Sequence, residues 1–353
     1  MNRFIAAALA AGIVLSGCGD GNPFEDETED TEDNGDTTTP DPDGIEGDRT
    51  LPPGTASPTP EFGIVRTEPT EEDGGNSGDG YVTSVSYNAD DDTFFVDNLA
   101  FDGGNIYERG EAVSSLGPYA VYEAVDPFDD SFNGNPINQF THRAIYGVSP
   151  SGNTQFAVVR TGAYVGYGFG GFIYQRNNGV NLPTTGQGSY SGSYAGVRDF
   201  DGQGGMEYTA ANIDIAIDFD DFNDATNTRG DAVRGRIYNR RVYDINGNDV
   251  TQTVINGINN QQDASLTYAQ GLPTVRFRVG PGVMDNNGEI TGEVFSNFVN
   301  NQGDTVSFEE GNYYAIVAGD NAEEIVGIVV TETGIGQPDG VTVRETGGFI
   351  ALR

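Results

Sequence analysis

The sequence predicts an all-β protein, either a barrel or a sandwich. Short apolar and aromatic segments alternate with polar residues, turn signals rich in Gly, Asn and Asp separate them, and helix signatures are scarce. Short strands that recur every 8–12 residues or so are typical of these two architectures. The 51 glycines among 353 residues fit a chain with many turns.

The N-terminus predicts export and a lipid anchor. After a short basic start, residues 4–15 form an apolar stretch that has the length of a signal-peptide core and is too short to span a bilayer. It ends in Leu15-Ser16-Gly17-Cys18, and Cys18 is the sole cysteine. This run resembles the lipobox of bacterial lipoproteins, which implies cleavage after Gly17 and acylation of Cys18. The alternative is an ordinary secretory signal with an incidental cysteine.

Composition divides the rest of the N-terminal region. Residues 1–17 are assigned to the signal peptide, and residues 18–80 to a disordered acidic stalk rich in Thr, Pro and Gly. Few residues of the stalk could join a core, and its like charges repel one another. By resemblance to enteric-type sorting, Gly19 after the lipidated cysteine favours the outer membrane, with the chain exposed at the cell surface.

Alternation predicts strands from residue 81 onward. Over residues 212–219, for example, the period of two places Ile213, Ile215, Ile217 and Phe219 on one face. Residues 320–324 predict a short turn between strands, or at most one helical turn. The predicted strands cover residues 81–87, 93–97, 119–124, 142–148, 155–161, 164–175, 212–219, 234–243, 275–279, 313–318, 324–331 and 347–352.

The charge excludes some partners. The chain carries a net charge of −37, and its 17 basic residues are all arginines. Such a polyanion does not bind nucleic acid or anionic lipid headgroups through its overall field. Solubility is the favoured explanation of the acidity, and calcium binding or steering of a cationic partner are the alternatives. We expect a monomer that meets the membrane through its N-terminal lipid.

The sequence predicts no catalytic, cofactor or metal site. His142 is the only histidine, which excludes a histidine cluster for zinc, and we expect it to be a packed or surface residue. Residues 244–249 partly match a calcium loop, but Asp249 stands where the loop requires Gly, so a hairpin turn is favoured. The acidic residues 220–224 are interpreted as a solvated loop. The residues that bind a ligand are not identified.

Three groups of motifs resemble one family. The first is the segment 182–196, LPTTGQGSYSGSYAG, and the second is IDF at 217–219 followed by GRIYNR at 235–240. The third comprises the closing segments GNYYAIVAG, AEEIVGIVV and ETGGFIA over residues 311–351. Together they are similar to the barrel strands of transferrin-binding protein B-like surface lipoproteins.

This resemblance implies an antiparallel eight-stranded barrel over residues 181–353 and a smaller N-terminal β region over 81–180. It also implies a non-enzymatic protein that binds a protein or small-molecule ligand, such as a carrier or host-type protein. Only one copy of the barrel pattern is present, so transferrin itself is not the expected ligand. The repeated Tyr-x-Gly pattern indicates aromatic rings that lie over glycines.

The barrel is predicted to be water-soluble with an apolar interior. Most predicted strands have about five to eight residues, fewer than the 9–11 or so that cross a membrane, and the chain ends in Arg353 rather than an aromatic residue. Two alternatives stay open. One is a structural envelope lipoprotein without a specific ligand, and the other is an integral outer-membrane barrel with or without lipid-directed enzymatic activity.

Overall fold

Strands dominate the computed structural model, as the sequence predicts. It describes residues 45–47, 63–97, 99, 106–125, 129, 131–135, 141–162, 166–220, 233–262, 271–279, 283–285, 287–300 and 303–353. Within these residues, the strands form a ten-stranded sheet and a closed antiparallel barrel of eight strands, accompanied by one α-helix. The predicted all-β class and eight-stranded barrel are confirmed.

Short strands build the N-terminal sheet. They are β1 Ile45–Gly47, β2 Ile64–Thr67, β3 Ser84–Asn88, β4 Thr93–Asp97, β5 Ile106–Arg109, β6 Ser115–Leu116, β7 Tyr119–Ala124, β8 His142–Val148, β9 Thr154–Thr161 and β10 Gly170–Arg176. Their order is β1-β3-β4-β5-β7-β8-β9-β10-β2, with β6 paired to β7. Strands β1 and β3 pair in parallel, whereas the other pairs of the sheet are antiparallel.

Aromatic rings fill the core of this sheet. The alternation of T-F-F-V-D in β4 buries Phe94, whose ring lies 5.3 Å from the rings of both Tyr122 and Tyr146. Such ring pairs add about 0.5–1.5 kcal/mol to the free energy gained from burial alone. The sheet therefore has its own packed interior.

Two segments of the region that composition assigns to the stalk form strands of this sheet, namely β1 and β2. Strand β2 pairs with β10, and the segment that follows it buries the carboxylates of Glu68 and Asp79 against Arg160 of β9. The apolar signal of β2 is only I-V-R-T, and acidic and Pro-rich residues on both sides hide it in a composition average.

The barrel closes because the last strand pairs back with the first. Seven of its eight strands are 10–15 residues long, so the prediction of mostly five to eight residues is wrong. The strands continue through serines and glycines, where the alternation of apolar residues is weak. The barrel strands are β11 Gln187–Asp201, β12 Met206–Asp218, β13 Val233–Asp244, β14 Val275–Phe277, β15 Glu289–Val299, β16 Thr305–Ala318, β17 Glu324–Thr333 and β18 Thr342–Leu352.

The barrel interior is apolar and filled by side chains. The predicted inward face of β12 is confirmed, because Ile213, Ile215 and Ile217 are all buried in one core cluster. Aromatic rings occupy the space above glycines, as in Gly292, where an added Cβ would lie 2.5 Å from the Tyr313 ring. In the repeated Tyr-x-Gly pattern, an added Cβ on Gly196 would lie 3.0 Å from the Tyr194 hydroxyl, whereas one on Gly192 would meet the backbone of Ile350. The prediction therefore holds for one of these two glycines.

The sheet packs on the outside of the barrel. Strands β8, β9 and β10 contact β11 and β16–β18. A Cβ on Gly347 would overlap the Tyr194 ring inside the barrel, and one on Gly348 would overlap the Phe156 ring of the sheet. Tyr119 of the sheet accepts the Ile350 N–H at 2.8 Å. The adjacent Gly347 and Gly348 thus leave space for an aromatic ring on each face of β18.

The sequence does not predict helix α1, Thr251–Gln262. It begins where the Asp249 carboxylate accepts the Thr251 N–H at 3.0 Å, and Val254 and Ile258 join a small core cluster with Phe298 of the barrel. Its Thr, Asn and Gly residues have low helix propensity, so the helix depends on this packing. Among the described residues, no helix is long and apolar enough to cross a membrane.

Candidate functional site

The predicted lipidation site lies outside the described residues. Leu15, Ser16, Gly17 and Cys18 all fall there, so lipidation stays a prediction. His142 is fully buried on β8, which is one of its two expected placements. The acidic residues 221–224 are also outside the described part of the chain.

The candidate calcium loop is a turn, as favoured from the sequence. The Asp244 carboxylate accepts the N–H groups of Asn246 and Asn248 at 2.9 and 2.8 Å, and Gly247 has a φ of 80°. These hydrogen bonds, above all those from Asn248, lower the pKa of Asp244. In the described ranges, no group of three or more His, Cys, Asp or Glu residues is arranged to hold a metal ion.

The arginines reveal a different site. Of the 17 in the sequence, Arg3, Arg49 and Arg229 lie outside the described residues. Twelve of the remaining 14 make a hydrogen bond or ion pair within the described structure. The other two, Arg234 and Arg276, make none there, although the sequence has 54 acidic residues. Both line the same groove on the barrel.

This arginine groove lies on the outer face of β11–β14 and has a volume of about 670 Å³. It forms where the ladder between strands is shortest, since β13 and β14 share only two residue pairs. Its lining also includes Ile215 and Phe277, which are buried in the barrel core. Its polar side chains include Ser191, Asp214, Arg234, Arg236, Thr274 and Arg276.

One row of the groove follows the strand register. Ser191 faces Asp214, Asp214 faces Arg236, and Arg236 faces Arg276 on successive strands. Arg236 donates two hydrogen bonds to the Asp214 carboxylate, at 3.0 and 2.7 Å. These hydrogen bonds raise the pKa of Arg236. Its guanidinium also lies 4.6 Å from the centre of the Tyr238 ring. Arg236 thus pairs with Asp214 at the surface, whereas Arg276 has no acidic partner among the described residues.

Inside the barrel, charges are matched closely. Arg240 donates to both carboxylate oxygens of Glu309, at 2.6 and 2.7 Å, and to Glu345 at 3.1 Å. Tyr194 donates to Glu345 at 2.8 Å. Burial by itself would raise the pKa of Glu345, but Arg240 and Arg198 outweigh it and hold that pKa below its usual value.

Two β-bulges bring this ion pair inside. In β13 the register against β12 shifts, and Asn239 adopts a φ of 56°, so that Ile237 and Arg240 both point inward. In β16 a shift leaves the adjacent residues Phe308 and Glu309 both buried. A bulge adds one residue and inverts the alternation beyond it, which is why a strict period of two does not predict these charges inside.

A second buried cluster joins the sheet to the barrel. Asp79 pairs with Arg160 at 2.9 Å and with Arg344 of β18 at 2.8 Å, and Arg160 also pairs with Glu68 at 2.5 Å. Asp199 faces Arg344 across the ladder, and its carboxylate oxygens have no hydrogen-bond partner among the described residues. Burial raises the pKa of Asp199 to about 6. The cluster has three carboxylates and two guanidinium groups.

The two buried clusters and the arginine groove differ in whether a ligand can reach them. The two buried clusters are closed to ligands, and the barrel interior is occupied by its own side chains. The arginine groove is open and presents donors that no described protein group uses. The sequence signal for it is the repeat R-x-R at 234–236 and again at 276–278, in a chain otherwise poor in basic residues.

Comparison with solved structures finds transferrin-binding protein B from several bacteria. For the protein from Haemophilus parasuis Hp5, identity is 14% and the TM-score is 0.35, over 82% of this chain and 45% of that chain. For the isotype 1 protein from Neisseria meningitidis, identity is 12% and the TM-score is 0.29, over 60% of this chain and 33% of that chain. For the protein from Actinobacillus pleuropneumoniae H49, identity is 13% and the TM-score is 0.27, over 57% of this chain and 76% of that chain.

The chain spans about half the length of the first of these structures. No protein-family model and no curated protein matches the sequence.

Proposed function

We propose that this protein is a lipid-anchored, surface-exposed lipoprotein of the bacterial outer membrane, whose barrel binds a ligand on its outer face without catalysing a reaction. The observation that carries the binding role is the arginine groove, an open depression whose Arg234 and Arg276 donors no described residue uses, on a barrel that is otherwise filled by its own side chains. Its volume of about 670 Å³ lies in the range of small-molecule sites.

Sequence carries the membrane part of the proposal. The run Leu15-Ser16-Gly17-Cys18 supports acylation of Cys18, and the acidic residues between it and β1 support a spacer that separates the fold from the membrane. A protein held by several acyl chains needs no membrane-facing surface of its own.

The outer face of the barrel favours this proposal over an integral membrane barrel. A transmembrane barrel presents an apolar band to lipid and a polar interior. Here the interior is the apolar side, whereas Ser189, Ser191, Arg234 and Arg236 are exposed on the outside. The strand lengths no longer distinguish the two, because most barrel strands are long enough to cross a membrane.

Metabolic labelling with radioactive palmitate tests the anchor. We expect label on the wild-type chain and none on the Cys18→Ser variant. Protease added to intact cells should degrade the wild-type protein, and a fragment that forms only after lysis would contradict surface display. Equal labelling of both chains would overturn acylation at Cys18.

A matched localisation experiment tests the integral alternative. The chain from Gly19 onward, behind the cleavable signal peptide of a soluble periplasmic protein, should appear in the soluble periplasmic fraction. Recovery in outer membranes after alkaline carbonate extraction would instead establish an integral barrel. If the protein is instead a structural envelope lipoprotein without a specific ligand, replacing the groove arginines by neutral residues should leave any ligand binding unchanged.

A further inference from the structure

We propose that the arginine groove is an oxyanion-binding site that takes a small molecule carrying carboxylate or phosphate groups. This inference rests on the proposed function, because it names the class of ligand at the same site.

The charges of the groove are unusual for this chain. The net charge is −37, yet two exposed arginines remain without an acidic partner in the described structure, and they line one groove. Arg276 stands directly opposite Arg236 in the ladder. Like charges at opposed positions destabilise a sheet. An oxyanion between the two side chains would turn that repulsion into attraction.

The register brings the donors together. Opposed residues on antiparallel strands have Cβ atoms about 5 Å apart, and residues i and i+2 on one face are separated by about 7 Å. Arg234, Arg236 and Arg276 therefore surround an area the size of a small molecule. Asp214 occupies donors of Arg236 only. No described residue accepts a hydrogen bond from the guanidinium groups of Arg234 and Arg276, and such N–H donors suit the two-point recognition of a carboxylate or phosphate.

Size and charge together favour a small anion over a macromolecule. The groove has a volume of about 670 Å³, which suits a small molecule. A nucleic acid or an anionic membrane would meet the field of the whole acidic chain. A small anion in the groove is shielded from charges farther away than about 10 Å at ordinary salt.

Isothermal titration calorimetry of the unlipidated chain from Gly19 onward tests the inference, with pyrophosphate and succinate as the two probes. We expect saturable binding of at least one probe and a loss of about tenfold or more in affinity for Arg276→Gln and for Arg234→Gln. Asp214→Asn should bind more tightly, because it frees Arg236. Tighter binding of pyrophosphate assigns a phosphate ligand, and tighter binding of succinate assigns a carboxylate.

The control is Arg241→Gln, which removes an exposed arginine of the same strand that pairs with Asp249 outside the groove. Its affinity should equal that of the wild-type chain. Equal affinities in Arg276→Gln and the wild-type chain, or no saturable binding of either probe at millimolar concentration, would overturn the inference. Circular dichroism confirms that each variant is folded. The palmitate and protease experiments do not depend on these arginines, so the proposed anchor and surface display can stand or fail separately from this inference.

Discussion

The buried and the exposed arginines of this barrel follow opposite rules. Arg240 points inward and meets Glu309 and Glu345, whereas Arg234 and Arg276 point outward and meet no acidic group among the described residues. An unmatched charge in the interior would cost several kcal/mol, so the fold must provide partners there. At the surface an unmatched charge costs little, so the lack of acidic partners among the described residues is compatible with the ligand-binding role that we propose for these two arginines.

The largest expected effect is inside the barrel. Arg240→Gln leaves two carboxylates buried without this counter-charge, and we expect the free energy of unfolding to fall by about 3–5 kcal/mol. Urea titration of the unlipidated chain measures this. The adjacent variant Arg241→Gln breaks an exposed pair with Asp249 and should cost less than about 1 kcal/mol. Equal losses would show that burial does not separate the two classes of arginine.

A second prediction concerns the excess carboxylate between sheet and barrel. Burial raises the pKa of Asp199 to about 6, so between about pH 4 and pH 6 the folded chain holds a proton that the unfolded chain has lost. Stability from this group is therefore lost as the pH rises through that window. Asp199→Asn should exceed the wild-type chain in stability at pH 8 by roughly 3 kcal/mol, and the difference should vanish below about pH 4.

Urea midpoints at pH 4, 5, 6 and 8 give the curve for Asp199→Asn. The charged groups that act on Asp199 are Arg160, Arg344, Glu68 and Asp79. All four are kept in the variant, so that only the charge of Asp199 changes. Asp249→Asn is the control with the opposite sign, because hydrogen bonds from Thr251 lower the pKa of Asp249. A flat difference between Asp199→Asn and the wild-type chain would show that Asp199 is charged throughout.

The third prediction separates packing from charge in the same interface. A Cβ on Gly348 would overlap the Phe156 ring, so Gly348→Ala should lower the free energy of unfolding by about 2 kcal/mol. Thermal denaturation compares it with Gly179→Ala, where an added Cβ has no neighbour within 4 Å. A neutral Gly348→Ala would mean that the sheet can move away from the barrel without loss.

The sequence predicts the fold where apolar residues alternate regularly, and it fails where a bulge interrupts that alternation. Ile213, Ile215 and Ile217 alternate without a break, and their inward face is predicted correctly. Arg240 and Glu309 follow bulges, which invert the alternation and depend on pairing between distant strands. Pairing also explains why β2 is hidden, since its four residues are stabilised by β10, which comes much later in the chain.

The arginine groove is only in part readable from the sequence. Each R-x-R repeat places its two arginines on one face of a strand, because side chains alternate with a period of two. The sequence does not say that the two strands are neighbours. The register of β13 against β14 sets Val275 inward opposite Ile237 and Arg276 outward opposite Arg236. Only this pairing brings Arg276 of the second repeat into one groove with Arg234 and Arg236 of the first.

The smallest expected effect has the opposite sign from the first. Arg276→Gln removes the like charge opposite Arg236, so we expect the free energy of unfolding to rise by about 0.2–1 kcal/mol at low salt. The gain should shrink in about 1 M salt, where charges are screened within about 3 Å. Urea titration at both salt concentrations, beside Arg241→Gln, measures it. A loss of more than about 1 kcal/mol in Arg276→Gln would show that this arginine stabilises the barrel as Arg240 does, and the unmatched charge would then no longer indicate a ligand.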